Sequence, residues 1–166
     1  MTGFSVRHAT LADVPLVVRH RVGMFTDMGQ LPAPLRPRLE HEAAGYLETA
    51  IPSGEYVGWL AAPDDQPDCI VAGAGLQRRR ILPRPLNTSE RPTIGDGREG
   101  VVLNVYTEPA WRRRGLARLL MTHVLDWVRA SDLDTLVLHA SADGRALYEE
   151  LGFVATNEMR YQRPLR

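Results

Sequence analysis

Lysine is absent from this chain: all 20 basic residues are arginine, and 20 acidic residues balance them. Without lysine, the chain cannot supply the phosphate-contacting lysine of P-loop sites, which disfavours that class of nucleotide-binding protein. Arginine stays charged at ordinary pH and is the better bidentate partner for phosphate and carboxylate groups. The formal net charge of zero argues against a nucleic-acid-binding protein that depends on bulk positive charge.

Cysteine and long apolar runs are scarce as well. The single cysteine, Cys69, cannot form an intrachain disulfide, which favours a cytoplasmic location. No apolar run reaches the ~20 residues that a membrane-spanning helix needs, and the N-terminal segment lacks the apolar centre of a signal peptide. We therefore expect no membrane contact. The 166 residues, 44% hydrophobic and 24% charged, fit one globular domain over 1–166.

The periodicity of apolar residues predicts a chain of mixed strands and helices. Strands are predicted at 4–8, 55–62, 69–82, 101–107, 135–140 and 153–162, and helices at about 10–24, 34–50, 114–130 and 142–151. The stretch 83–100 has no periodicity and is rich in proline, glycine and charge, which predicts a long loop. The strand–helix–strand unit over 101–140 should place its two strands parallel.

The segment 103–117, LNVYTEPAWRRRGLA, carries the strongest functional pattern. An apolar strand ends near Thr107, Pro109 cannot extend it, and small residues then open an amphipathic helix. The first N–H groups of a helix have no partner within it, and the helix dipole makes that end partly positive. Because Gly115 and Ala117 let a phosphate approach the backbone, the pattern predicts a phosphate site. The alternative is a solvated helix cap with incidental arginines.

Two motifs resemble those of a known family, the GCN5-related N-acetyltransferases or GNAT superfamily. Residues 112–117, RRRGLA, resemble its Gln/Arg-x-x-Gly-x-Gly/Ala signature, and residues 147–153, LYEELGF, resemble the Tyr-x-x-x-Gly-Phe end of its last helix. The order of elements is similar from end to end, and the N-terminal half diverges most. The resemblance implies the α/β GNAT acyl-CoA N-acyltransferase fold, with a mixed sheet splayed between the fourth and fifth strands and helices on both faces.

The resemblance also implies an activity and a donor site. It implies an N-acetyltransferase that passes the acetyl group of acetyl-CoA (coenzyme A) directly to a primary amine of a small molecule, an amino acid or a peptide, with no metal. The pyrophosphate of the co-substrate is expected on the backbone of Arg112, Arg113, Arg114, Gly115, Leu116 and Ala117. The pantetheine arm is expected to extend the strand at Val105, Tyr106 and Thr107, where the family carries a bulge.

Further residues follow from the resemblance. Tyr148 is predicted to be the general acid, since a phenol is neutral at pH 7 and donates through its O–H; the alternative is an aromatic that packs its helix on the sheet. Ser141 stands where many relatives have asparagine, and with Arg145 it is predicted to contact the cofactor. Asp27 and Met28 are predicted to wall the acceptor pocket, where an acidic group suits a cationic amine. The alternative for Asp27 is a helix cap.

The general base cannot be identified from the sequence. Glu99 and Glu108 flank the central strand and His139 lies on its neighbour, but relatives often deprotonate the amine through ordered waters. A different acyl-CoA donor and a non-catalytic acyl-CoA-binding regulatory domain stay open as alternatives. Arg78 and Arg80 either favour an acidic acceptor or solvate a strand edge. The oligomeric state is also open: relatives are often dimers, and the last strand offers an edge for a homodimer.

Overall fold

The computed structural model describes residues 3–86 and 92–161. Seven strands are assigned in these residues: β1 (Phe4–His8), β2 (Tyr56–Pro63), β3 (Ala72–Arg80), β4 (Arg84–Leu86), β5 (Thr93–Gly95), β6 (Arg98–Thr107) and β7 (Thr135–Leu138). Four α-helices are assigned: α1 (Val14–Asp27), α2 (Arg36–Ser53), α3 (Leu116–Ala130) and α4 (Arg145–Glu150). Short 3₁₀ turns at Leu11–Asp13, Ala33–Leu35 and Pro109–Trp111 precede α1, α2 and α3.

The main sheet has five strands in the order β1-β2-β3-β6-β7. Its first four strands pair antiparallel, whereas β6 and β7 pair parallel, joined by the crossover helix α3. The predicted mixed sheet and the parallel pairing within 101–140 are therefore confirmed, but this pair lies at the β7 edge of the sheet in the described residues and not at its centre. The parallel pairing runs only from Glu99↔Thr135 to Val102↔Leu138, so the last residues of β6 have no partner from β7. This is the predicted splay between the fourth and fifth strands of the sheet.

Helices cover both faces of the sheet, as predicted. On one face α1 and α2 pack on β2 and β6, around buried residues such as Val17, Leu47 and Leu60. On the other face α3 packs on β2, β3 and β6, around Leu120 and Met121, which are fully buried. Burial of apolar side chains on two faces supplies the main driving force for this arrangement.

A β-bulge interrupts β6 where it passes β3. The register changes from Gly75↔Leu103 to Gly73↔Tyr106, so an extra residue is inserted opposite Ala74. Asn104 takes up the extra residue with a left-handed backbone, φ +55°, a conformation that asparagine tolerates better than most residues. As a result, the consecutive side chains of Leu103 and Asn104 both face α1 and α2.

Two sequence predictions are wrong. The stretch 83–100 is not only a loop: β4 and β5 pair antiparallel within it, and β6 begins at Arg98. Strands of three residues that contain Pro85 and Gly95 are too short to show a period, which explains the error. No strand is assigned over 153–161, the described part of the predicted strand 153–162; there Val154, Met159 and Tyr161 are exposed, so alternation buries neither face. No helix in the described residues is long and apolar enough to cross a membrane.

Candidate active site

A run of free backbone N–H groups lies between β6 and α3. Among the described residues, none of the N–H groups of residues 113–118 donates to a carbonyl or a side chain, and the first bond into α3 runs from Leu119 N–H to the Gly115 carbonyl at 3.0 Å. Arg113 (φ +62°) and Gly115 (φ +79°) both have left-handed backbones, which turn the chain sharply into the helix. Successive unpaired N–H groups at a helix start are suited to bind anions, and the phosphate site at this segment stays a prediction.

Gly115 leaves open space at this turn. A Cβ added there would meet no atom within 4 Å, although the positive φ would strain any other residue. Leu116, by contrast, is 2% exposed and anchors the helix start in the core below α3. The loop is therefore fixed from beneath and open above, as a cradle for a phosphate group requires.

The three arginines of this loop point in different directions. Arg112 forms an ion pair with Asp27, and its Nε donates to the Thr107 carbonyl at 3.0 Å. The Arg114 guanidinium lies 4.7 Å from the centroid of the Trp111 ring, and Arg113 is exposed. Arg112 therefore joins the predicted cofactor loop to the predicted acceptor wall, which the sequence did not indicate.

The end of β6 offers an open strand edge. Glu108 N–H donates to the Val71 carbonyl on the β3 side at 2.9 Å, and Tyr106 pairs with Gly73 in the same ladder. Because backbone groups alternate along a strand, those of Val105 and Thr107 point to the opposite edge, which β7 leaves unpaired. An extended ligand can add to such an edge as another strand would.

Tyr106 contributes its ring to the α1 side of β6. The ring lies 5.4 Å from the His20 ring, centroid to centroid, beneath the Arg112 guanidinium. Helix α1 approaches so closely that a Cβ on Gly23 would lie 2.6 Å from Tyr106 Oη. Of the three predicted residues, Tyr106 thus fixes the strand end against α1, while Val105 and the N–H group of Thr107 face the edge that β7 leaves unpaired.

Tyr148 lies on α4 and is half-buried against the core on the α3 face. Its ring packs edge-to-face on Phe153, with centroids 6.0 Å apart. Burial raises the pKa of Tyr148, which keeps its O–H protonated. The ring therefore has the packing role that the alternative predicted, and the general-acid role of the protonated phenol stays a prediction.

Ser141 and Arg145 lie at the start of α4. Ser141 Oγ accepts from Gly144 N–H at 3.2 Å, and Arg145 lies 3.8 Å from Glu149 one turn on. Both contacts stabilise the helix, and cofactor binding by either residue stays a prediction. Met28, at the end of α1, is 39% exposed beside Asp27.

Polar residues on the α1 side of the bulge were missed in the sequence. Arg21 Nη1 donates to Asn104 Oδ1 at 2.7 Å, and Asn104 Nδ2 lies 3.4 Å from the phenol oxygen of buried Tyr56. No motif marks these positions, because 83 residues separate Arg21 from Asn104 and only the folded sheet brings them together. The one sequence signal was an asparagine inside an otherwise apolar strand.

The residues considered as general bases have structural partners. Glu99 is 4% exposed and receives Arg79 Nε at 2.7 Å and the Thr135 hydroxyl at 3.2 Å. It lies in the β7-paired half of β6, away from the bulge. Glu108 lies 3.0 Å from Arg19 and 3.5 Å from His20 Nε2.

Two further polar residues are accounted for by surface contacts. His139 is exposed and lies 3.8 Å from Glu158. Arg78 lies 3.1 Å from Asp132, so it ties β3 to the turn that follows α3. These contacts favour structural roles for both.

The residues present fit acetyl-CoA: free amides and open space suit a diphosphate, and the unpaired edge of β6 suits an extended arm. Among the described residues, no group of three or more His, Cys, Asp or Glu side chains is placed to hold a metal ion. The Acetyltransferase (GNAT) family matches this sequence over residues 25–153. The chain belongs to that family.

Solved GNAT structures share the whole fold. A GCN5-related N-acetyltransferase from Ralstonia eutropha JMP134 superposes with a TM-score of 0.83 and 27% identity, over 97% of this chain and 99% of that one. An acetyltransferase from Clostridium acetobutylicum, solved with acetyl-CoA, superposes with a TM-score of 0.76 and 25% identity, over 97% of this chain and 96% of that one. The alignment covers nearly all of both chains, so the GNAT fold prediction is confirmed.

A shorter match relates the chain to a curated enzyme. The ribosomal protein bS18-alanine N-acetyltransferase of Salmonella typhimurium is 38% identical over 58 residues. That match spans 33% of this chain and 39% of the length of the relative. It supports N-acetylation in general terms.

Proposed function

We propose that this chain is an acetyl-CoA-dependent N-acetyltransferase that acts on a primary amine of a small molecule, an amino acid or a peptide. One observation carries the proposal: a run of free amides at 113–118 adjoins a strand edge freed by the bulge and the splay. One site binds a diphosphate and the other an extended arm, and coenzyme A contains both groups.

The donor site is assigned to two segments. Backbone N–H groups from Arg113 to Ala117 would hold the pyrophosphate, because they are unpaired and lie at the positive end of α3. The backbone of Val105 and the N–H group of Thr107 would pair with the pantetheine arm. Arg112 would support this site indirectly, by holding the end of β6 in place, because its Nε donates to the Thr107 carbonyl.

Bound acetyl-CoA would supply an acetyl group activated as a thioester. An N–H group at the freed edge of β6 would polarise the acetyl carbonyl, and the two sites together would orient the acetyl group towards the amine. As the amine nitrogen bonds to the carbonyl carbon and the C–S bond breaks, Tyr148 Oη would give its proton to the sulfur. The proton lost by the amine would pass to solvent, the Tyr148 phenolate would regain a proton from solvent, and we assign no side chain as the general base.

The acceptor is a proposal at the level of a chemical class. The name of the Salmonella relative specifies alanine N-acetylation, and the match to it covers about a third of this chain. This supports an amine acceptor such as an amino acid or a peptide N-terminus. Asp27 and Met28 are proposed as part of its wall, with Asp27 held by Arg112.

Thiol release from acetyl-CoA, measured over a panel of amino acids, peptides and amine-bearing small molecules, tests this function. Calorimetric titration with acetyl-CoA and with ATP gives the donor affinity separately. We expect acetyl-CoA to bind, ATP not to bind, and at least one amine to increase thiol release. Preference for a longer acyl-CoA would show that the donor is not acetyl-CoA. Binding of acetyl-CoA without turnover of any amine would indicate a regulatory domain. Failure of acetyl-CoA to bind would contradict the proposal.

A further inference from the structure

Arg21 is held in a fixed orientation on the α1 side of the bulge. Its Nη1 donates to Asn104 Oδ1 at 2.7 Å, and its guanidinium lies 4.9 Å from the centroid of the Phe25 ring, one turn further along α1. The side chain is partly buried and partly open. Its rotamer entropy is thus already lost before any ligand arrives, which favours binding by the remaining N–H donors.

The positive charge of Arg21 has no acidic partner among the described residues. Its neighbours in α1 and in the nearby loop are neutralised: Arg19 by Glu108 at 3.0 Å, and Arg112 by Asp27. No carboxylate of residues 3–86 and 92–161 lies within 4.0 Å of a nitrogen of Arg21. A guanidinium that only stabilised the fold would be expected to pair with an acid when partly buried.

Burial also acts on this charge directly. It lowers the pKa of Arg21, and the ionisable groups that oppose the shift are the phenols of Tyr56 and Tyr46, not carboxylates. Both phenols are neutral at pH 7, so the partly desolvated cation is left uncompensated. An anion placed there would be attracted more strongly than an anion beside a fully hydrated arginine, because partial burial reduces the screening by water.

The position of Arg21 relates it to the acetyl group. Asn104, which binds it, is the bulge residue, and the next residue, Val105, turns its backbone to the open edge of β6. Arg21 approaches the bulge from α1, whereas the diphosphate cradle lies beyond the strand end at α3. An anion on Arg21 would therefore belong to the acceptor rather than to the phosphates of the donor.

We infer that Arg21 binds an anionic group of the acceptor, so that the preferred substrate is a small amine that also carries a carboxylate or a phosphate. This inference rests on the proposed N-acetyltransferase function. Arginine suits the task because its planar fork of donors matches the oxygens of both groups. An amino acid with a free carboxylate is favoured over a peptide, whose N-terminal residue has its carboxyl group in an amide bond.

Matched pairs of amines test the inference, because members of a pair share one carbon skeleton and only one of them carries the anion. Each amino acid is compared with its C-terminal amide, and phosphoethanolamine with ethanolamine, in the thiol-release assay with saturating acetyl-CoA. The same pairs are titrated calorimetrically into the protein saturated with coenzyme A. The two arms distinguish carboxylate from phosphate. We expect kcat/KM at least about tenfold higher for the anionic member of the best pair, which is the effect of about 1.4 kcal/mol of added binding.

Variants of Arg21 connect the preference to this residue. Arg21→Gln should remove the preference mainly by raising KM for the anionic amine, with KM for acetyl-CoA unchanged. Arg21→Lys should restore only part of it, because an ammonium group keeps the charge and loses the fork. Arg38→Gln removes the same charge from an exposed position on α2, paired with Glu42 at 3.8 Å, and should leave the preference intact.

The outcomes separate this inference from the proposed function. Turnover of neutral amines at rates equal to their anionic partners, unchanged by Arg21→Gln, would overturn the inference and leave the acetyltransferase function standing. If no amine were turned over although coenzyme A bound, the proposed function would fail. The calorimetric preference of the coenzyme A complex would then decide the inference: selective binding of anionic members, lost in Arg21→Gln, supports it, and equal or no binding overturns it.

Discussion

Arg112 and Asp27 form an ion pair across 85 residues of sequence, joining the loop after β6 to the last residue of α1. The hydrogen bond that Arg112 donates to the Asp27 carboxylate raises the pKa of Arg112, and the same guanidinium donates through Nε to the Thr107 carbonyl. One side chain thus holds three segments: the predicted acceptor wall, the open strand end and the amide run. From these contacts we expect Arg112 to position the proposed donor site.

Replacing Arg112 by lysine tests that role. Lysine keeps the charge, but a single ammonium group cannot serve both Thr107 and Asp27 with the planar fork that arginine uses. We expect KM for acetyl-CoA to rise by about three- to tenfold, which is about 0.7–1.4 kcal/mol. Both partners are more than 40% exposed, so the unfolding free energy should change by less than about 1 kcal/mol.

Arg36→Lys is the matched control for this substitution. Arg36 forms an exposed pair with Glu40 on α2, with Nε at 2.9 Å from the carboxylate, far along the chain from the donor segments. Its replacement should alter stability by a similar small amount and leave the KM for acetyl-CoA unchanged. Equal KM values in the two variants would show that Arg112 does not position the donor site.

Gly115 gives a second test, in which strain and cofactor binding are separated. Gly115→Ala places a methyl group in the open space of the cradle at φ +79°, so it should cost about 1 kcal/mol of stability and weaken coenzyme A binding. Gly54→Ala is the control: Gly54 ends α2 at φ +74°, also with no atom within 4 Å. Calorimetry with coenzyme A and thermal unfolding are measured on both. An equal loss of affinity in both variants would contradict the cradle.

The contrast between these two glycines shows what the sequence could predict. Gly115 lies within the motif 112–117, and the unpaired amides around it belong to residues adjacent in the chain. Six consecutive residues were therefore sufficient to predict the proposed phosphate cradle. The splay and the mixed sheet followed from the resemblance for the same reason, because the pattern of elements is continuous along the chain. Local rules of strand end, helix start and small residues carry that information.

Contacts between distant segments could not be predicted in this way. The Arg21–Asn104 hydrogen bond requires a bulge that turns two consecutive side chains to one face. Neither residue type indicates that bulge in the sequence. The same holds for Arg112, which the motif assigns to phosphate and the fold assigns to Asp27. The short pairing of Pro85 with Ile94 escaped because three-residue strands show no period.

Tyr148→Phe tests the proton donor without disturbing the packing. The substitution keeps the edge-to-face contact with Phe153 and removes only the O–H group. We expect kcat to fall by about 10²-fold, the lower end of general acid catalysis, with KM for acetyl-CoA within about twofold of wild type. Because burial raises the pKa of Tyr148, the wild-type kcat should not decline until the pH exceeds 10.0, the ordinary value of the phenol.

Tyr161→Phe controls for the chemical change, since Tyr161 is 84% exposed. It should leave kcat unaltered. If Tyr148→Phe kept the kcat of the wild type, with the fold intact by circular dichroism, Tyr148 would not be the proton donor and would only pack its helix.

His20 makes the stability of the protein depend on pH. Its side chain is 2% exposed, and burial lowers its pKa from 6.5 to about 4, against the opposing effect of Glu108 at 3.5 Å. Below pH 6.5 His20 therefore binds a proton in the unfolded chain, whereas in the folded chain it binds one only when the pH falls to about 4. Stability is fully present above pH 6.5 and falls with decreasing pH, by up to about 3 kcal/mol at about 1.4 kcal/mol per unit.

Urea unfolding at a series of pH values between 6.5 and 4 measures this slope. His20→Gln removes the titrating group, so its unfolding free energy should change less across that window, whatever its absolute stability. His41→Gln, at an exposed position on α2, should keep the wild-type slope. Because His20 packs against Tyr106 at the strand end, the same protonation should loosen the donor edge, and coenzyme A affinity should fall over the same window in wild type and less in His20→Gln. Parallel pH slopes in all three proteins would show that His20 is not the group responsible.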